Sequence, residues 1–100
     1  MKNLMTYKDM HYIKKWQKIL NLQDQVIKTQ EIHPDQVVYA ADVPKKDRYY
    51  IGVNTSNEGY HTIYYDRPMT EEDVVHEMLH VKFPVLSQDE VNELTTILLK

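Results

Sequence analysis

Apolar residues change their spacing along this chain, and the changes divide it into elements. Met10, Ile13, Trp16 (or Gln17) and Leu20 recur at three- and four-residue intervals, one face of an amphipathic helix over residues 7–20. Thr6 can cap it, with Asp9 three residues later, and Asn21 can end it. Beyond Asn21 the helical period is lost. Val26, Ile27 and Ile32 lie in a strand-like stretch with polar residues between them. His33-Pro34-Asp35 reads as a turn and Val37 to Ala40 as a second short strand. Pro44 to Asp47 is a polar connection, and Tyr49 to Val53, rich in β-formers, is a third strand. Asn54 to Gly59 has turn chemistry of hairpin length. Tyr60 to Asp66 is a fourth strand, its alternation setting Thr62, Tyr64 and Asp66 on one side and His61, Ile63 and Tyr65 on the other.

Pro68 ends the sheet, and Thr70 caps a helix whose first turn holds Glu71, Glu72 and Asp73, where the helix dipole favours negative charge. This helix runs to about Phe83 and is stopped by Pro84. Ser87 caps a last helix, with Glu90 completing a capping-box pattern and Val91, Leu94 and Leu98 as the apolar stripe. Helix, four short strands, helix, helix implies an α+β domain: an N-terminal helix, a small, mostly antiparallel sheet of three to four strands, and two closing helices packed on one face.

With 100 residues, one domain spanning 1–100 is expected. A formal net charge of −3 from 12 basic and 15 acidic residues exerts no strong pull toward nucleic acid or an anionic membrane. Lys8, Lys14, Lys15 and Lys18 form a solvated helix face. The absence of cysteine excludes a disulfide framework and a thiolate metal site. Met1 to Met10 has no apolar run of signal-peptide type, and no 18-residue apolar run exists to span a membrane. A cytoplasmic location is the expectation.

His76, Glu77, Met78, Leu79 and His80 spell H-E-x-x-H. Five histidines and seven glutamates in random order give this pattern in roughly one or two such chains per hundred, so its setting must carry weight. The motif lies on a well-capped helix directly after a strand. Four helical residues advance about 400°, so the two imidazoles stand one turn apart on one face. So placed, both can reach one tetrahedral Zn2+ at about 2.0–2.1 Å. Glu77, about 100° round from His76, is positioned as general base toward a water at the metal. Val74, Val75, Met78, Leu79, Val81 and Phe83 surround the motif, so the helix is largely buried and its polar residues need partners.

A catalytic zinc usually takes a third protein ligand, and no histidine or cysteine follows His80. Glu90 and Glu93 on the last helix are the candidates. Glu90 is preferred because it shares a face with Leu94 and Ile97; the alternative role for it is the capping partner of Ser87. Asp73 lies on the histidine face, either orienting an imidazole or acting only as a first-turn charge. If Tyr60 to Asp66 is a sheet edge, an extended peptide can add to it. His61, Tyr64 and Tyr65 then offer donors to an oxyanion, though packing roles suit the tyrosines better. His11 and His33 read as surface residues.

Thr70 to Pro84, with H-E-M-L-H inside it, resembles the active-site helix of the gluzincin group of zincins. The whole chain resembles the minimal zincins called minigluzincins and small metallopeptidase-like proteins common in phages. In the latter, a phrase like Trp16 to Asp24 precedes the strands and a Glu-x-Val-like element follows the motif; Asp89-Glu90-Val91 matches that element and supports Glu90 as the third ligand. Gln25 stands where those relatives have an aromatic. Some minimal zincins use a histidine as third ligand, and this chain has none downstream. The resemblance implies hydrolysis of a peptide or protein substrate by a zinc metallopeptidase, with a latent state in which terminal segments cover the cleft. Residues 94–100 are placed to pack across the site or to exchange with a second copy in a homodimer. The competing reading is a metal-binding pseudo-peptidase or regulatory interaction domain without hydrolysis, and a third is a structural domain without metal.

Overall fold

The computed structural model describes residues 7–33, 35 and 50–100. In chain order these form α1 (Tyr7–Ile19), β1 (Val26–Glu31), β2 (Ile51–Thr55), β3 (Tyr60–Tyr65), α2 (Glu71–Lys82) and α3 (Gln88–Leu98). The class is α+β, with a leading helix, a sheet and two closing helices, as the sequence implies. The Thr6 cap, the strand over 37–40, the connection over 44–47 and the start of a strand at Tyr49 lie outside the described residues.

The sheet is mixed, in the order β1-β3-β2. β2 and β3 form the antiparallel hairpin, Val53 opposite Ile63, while β1 runs parallel to β3 with Thr29 level with Ile63. Tyr60–Tyr65 is therefore the central strand of the three. The expectation of a peptide-accepting edge there is overturned, because β1 and β2 occupy its two sides. The hairpin turns at Gly59, whose φ of +84° is in the left-handed region that glycine enters at no steric cost. Asn21, at φ +58°, follows α1 in the conformation that ends helices.

The register gathers one apolar face. Ile27 and Thr29 of β1, His61, Ile63 and Tyr65 of β3, and Ile51 and Val53 of β2 share it. Ile63 is fully buried at its centre. Trp16 and Ile13 of α1, Val74, Val75, Met78 and Leu79 of α2, and Val91 of α3 complete the core over it. α2 is the hub, packing on α1, α3 and β2.

Both closing helices start with the caps that the sequence predicts. Thr70 Oγ1 accepts from the Asp73 amide at 3.2 Å, and the Asp73 carboxylate accepts from the Thr70 amide at 2.9 Å. Ser87 and Glu90 repeat the arrangement at 3.2 and 3.0 Å. Each reciprocal pair satisfies two amides that would otherwise lack partners at a helix start. Phe83 caps α2, and its carbonyl accepts from the Leu86 amide. This tight turn sends α3 back along α2 and brings its first residue to the histidine face.

Candidate metal centre

Burial fixes how α2 presents its polar residues. Val74, Val75, Met78 and Leu79 are inaccessible, so the helix cannot rotate without exposing them. His76 and His80 are held on its half-buried flank, and their rings meet edge to face with centroids 4.8 Å apart. Their Nε2 atoms point at each other across 3.2 Å. Two ligands at about 2.0–2.1 Å from one tetrahedral ion stand about 3.3–3.4 Å apart, so the imidazoles are set at nearly the spacing that a shared cation imposes. The rings converge on one place, as the motif requires.

A third atom meets them. Gln88, the first residue of α3, places Oε1 2.8 Å from His76 Nε2 and 3.1 Å from His80 Nε2. Sequence reasoning passed over it, because an amide is an uncommon zinc donor and attention fell on the carboxylates that follow. The usable signal was positional: the residue after the Ser87 cap, four past Pro84, opens a helix that must fold back on the motif.

No family model, curated protein or solved structure matches this chain. The site is therefore read from its own chemistry.

Glu77, the residue after His76 on α2, is only 6% exposed. It lines a cleft of about 170 Å³ together with His76, Glu72, Asp73, Ile51 of β2 and Asn92 of α3. Burial, reinforced by the neighbouring Asp73 carboxylate, raises its pKa to about 7. Desolvation disfavours the charged form, and a nearby like charge adds to that. A carboxyl poised near neutrality in a cleft is suited to take up and return a proton.

Glu90 is exposed, and its carboxylate is engaged by the Ser87 amide, which holds its pKa down. Glu93 is exposed as well. Among the described residues, no three of His, Asp and Glu form a group able to hold an ion. The Asp73 carboxylate serves the Thr70 cap. None of His61, Tyr64 and Tyr65 lines the cleft. His61 sits at the far end of β3, where its Nε2 meets Gln25 Oε1 at 2.7 Å, and desolvation lowers its pKa. Tyr65 is buried in the core, with Tyr64 on the opposite face. His11 and His33 are exposed. Leu94 and Leu98 pack on the core of their own chain. No helix among the described residues is long and apolar enough to cross a membrane.

Proposed function

We propose that this protein is a zinc-dependent peptidase in which His76 and His80 hold the metal and Glu77 is the general base. The observation that carries this reading is the 3.2 Å approach of the two Nε2 atoms, beside a cleft that Glu77 shares with His76. Zinc, when bound, supplies a water of lowered pKa and polarises a carbonyl oxygen. The chain's own residues do the rest. His76 and His80 present lone pairs from a helix that the core locks in rotation. Glu77 accepts the proton released from water and delivers it to the leaving amine, a task for which its place in the cleft beside His76 suits it. Glu72 and Asp73 add negative charge to the cleft, which favours a cation there.

An extended substrate lying along β2, an outer strand among the described residues, would pass the cleft at Ile51. That replaces β3 as the strand for peptide pairing. The test is hydrolysis of a mixed-sequence peptide pool by zinc-loaded protein, read by mass spectrometry, with Glu77→Gln alongside. Cleavage by the wild type, none by Glu77→Gln, and one zinc per chain in both support the reading. Zinc in both with no cleavage by either replaces it with the metal-binding, non-hydrolytic alternative.

A further inference from the structure

Three atoms converge beside α2: His76 Nε2, His80 Nε2 and Gln88 Oε1, with separations of 2.8, 3.1 and 3.2 Å. Hydrogen bonding cannot satisfy all three contacts. An amide oxygen carries no proton, and each imidazole Nε2 carries one at most. Two of the three edges can be hydrogen bonds, and the third then sets donor against donor or lone pair against lone pair. Turning the amide end for end leaves the same count. A cation at the centre meets all three lone pairs together. The edges are close to the roughly 3.3 Å of a tetrahedral face around zinc.

We propose that Gln88 is the third protein donor, giving a neutral His76–His80–Gln88 set. This rests on the reading of the two histidines as metal ligands. Competing donors are engaged elsewhere or remote: Glu90 is held by the Ser87 amide, and Asp73 by that of Thr70. Gln88 is held where it is by the Phe83–Leu86 turn and the Ser87 cap, so its position follows from the start of α3 and not from a flexible tail. Two imidazoles and an amide leave the whole +2 charge on the ion, where a carboxylate would cancel part of it. The site therefore binds zinc less tightly than a His–His–carboxylate set and holds an ion of greater residual charge.

The test is zinc affinity of the full chain, measured by competition with a chromophoric chelator. The set is wild type, Gln88→Ala, Gln88→Glu, Glu90→Gln, His76→Ala and His80→Ala. Gln88 is exposed in the first turn of α3, where alanine is tolerated and a carboxylate suits the helix dipole, so metal-free melts should show both Gln88 variants folded. The expected result is one zinc per wild-type chain, affinity at least tenfold lower in Gln88→Ala, at least tenfold higher in Gln88→Glu, and unchanged in Glu90→Gln. Should both Gln88 variants bind within threefold of wild type while either histidine variant loses the metal, Gln88 is no ligand and the histidine reading stands. If wild type takes up no zinc, or the histidine variants bind as it does, both readings fall.

Discussion

The indole Nε1 of Trp16 donates to Glu71 Oε2 at 2.8 Å, joining the middle of α1 to the first turn of α2. Lys15 Nζ reaches the same oxygen at 2.7 Å and lies over the Trp16 ring. Trp16 is buried in the core, so one carboxylate fixes the start of the helix that carries both histidines. The hydrogen bond from Lys15, then that from Trp16, lowers the pKa of Glu71.

Glu71→Ala should therefore destabilise the protein by about 1–2 kcal/mol at pH 7, because it strands a largely buried indole N–H. A carboxyl with a depressed folded pKa contributes stability above its unfolded pKa and loses it as pH falls through the folded value. The deficit of the alanine variant should accordingly shrink in acid. Urea melts at pH 7 and pH 3 measure it, and an equal deficit at both would remove the carboxylate from the account.

Glu77 gives the opposite sign. Its folded pKa of about 7 stands above the ordinary 4.5. The zinc-free fold thus binds its proton more tightly than the unfolded chain does. Its cost is absent below about pH 4.5, grows as pH rises and is complete above pH 7. Glu77→Gln, which cannot ionise, should come close to wild type near pH 4.5 and exceed it by about 3 kcal/mol at pH 8 in chelator. The same variant should lose hydrolysis, so a gain in stability would accompany a loss of activity. Parallel stability curves for the two proteins across this range would contradict a strained, buried carboxyl.

Local signals made much of this fold legible. Thr70 as a cap and Ser87 with Glu90 as a reciprocal one are readable from a few residues each, and both are formed; Asp73, read as a first-turn charge or an imidazole partner, completes a box with Thr70 instead. The alternation placed His61, Ile63 and Tyr65 together on one side of β3, and the fold buries that side. What escaped was non-local. The pairing of β1 beside β3 depends on a crossover whose path no nearby residue dictates, so the central place of β3 was not readable. The pair His76–His80 follows from helical period alone, whereas Gln88 reaches it only through the direction of the Phe83–Leu86 turn. Glu90 could be read either as a cap or as a ligand, and its exposed carboxylate caps.

That cap yields its own prediction. Ser87→Ala should lower stability by about 1 kcal/mol, the usual value of a lost N-cap. It should also weaken zinc binding modestly, since Gln88 is the next residue and the cap sets its direction. Thr70→Ala should cost a similar amount at the start of α2 without affecting zinc, because Thr70 lies six residues before His76 on the rigid part of the helix. Paired thermal melts and chelator titrations of the two variants separate the effects. Equal zinc affinities in both would disconnect the α3 start from the metal.

Metal should act on stability through the folded state alone, since the His76–His80 convergence needs α2 intact. A ligand present at 100 times its dissociation constant adds about 2.7 kcal/mol, and one kcal/mol moves the midpoint of a domain this size by about 4–8 °C. Saturating zinc should raise the melting midpoint by ten degrees or more, and a chelator should reverse it. His80→Ala should abolish the rise while leaving the metal-free midpoint close to wild type, because the ring is only half buried. His61→Ala should do the reverse. His61 is buried at the other end of the sheet against Gln25, so its loss lowers the metal-free midpoint and preserves the rise. A zinc-induced rise that survives His80→Ala would locate the metal elsewhere on the chain.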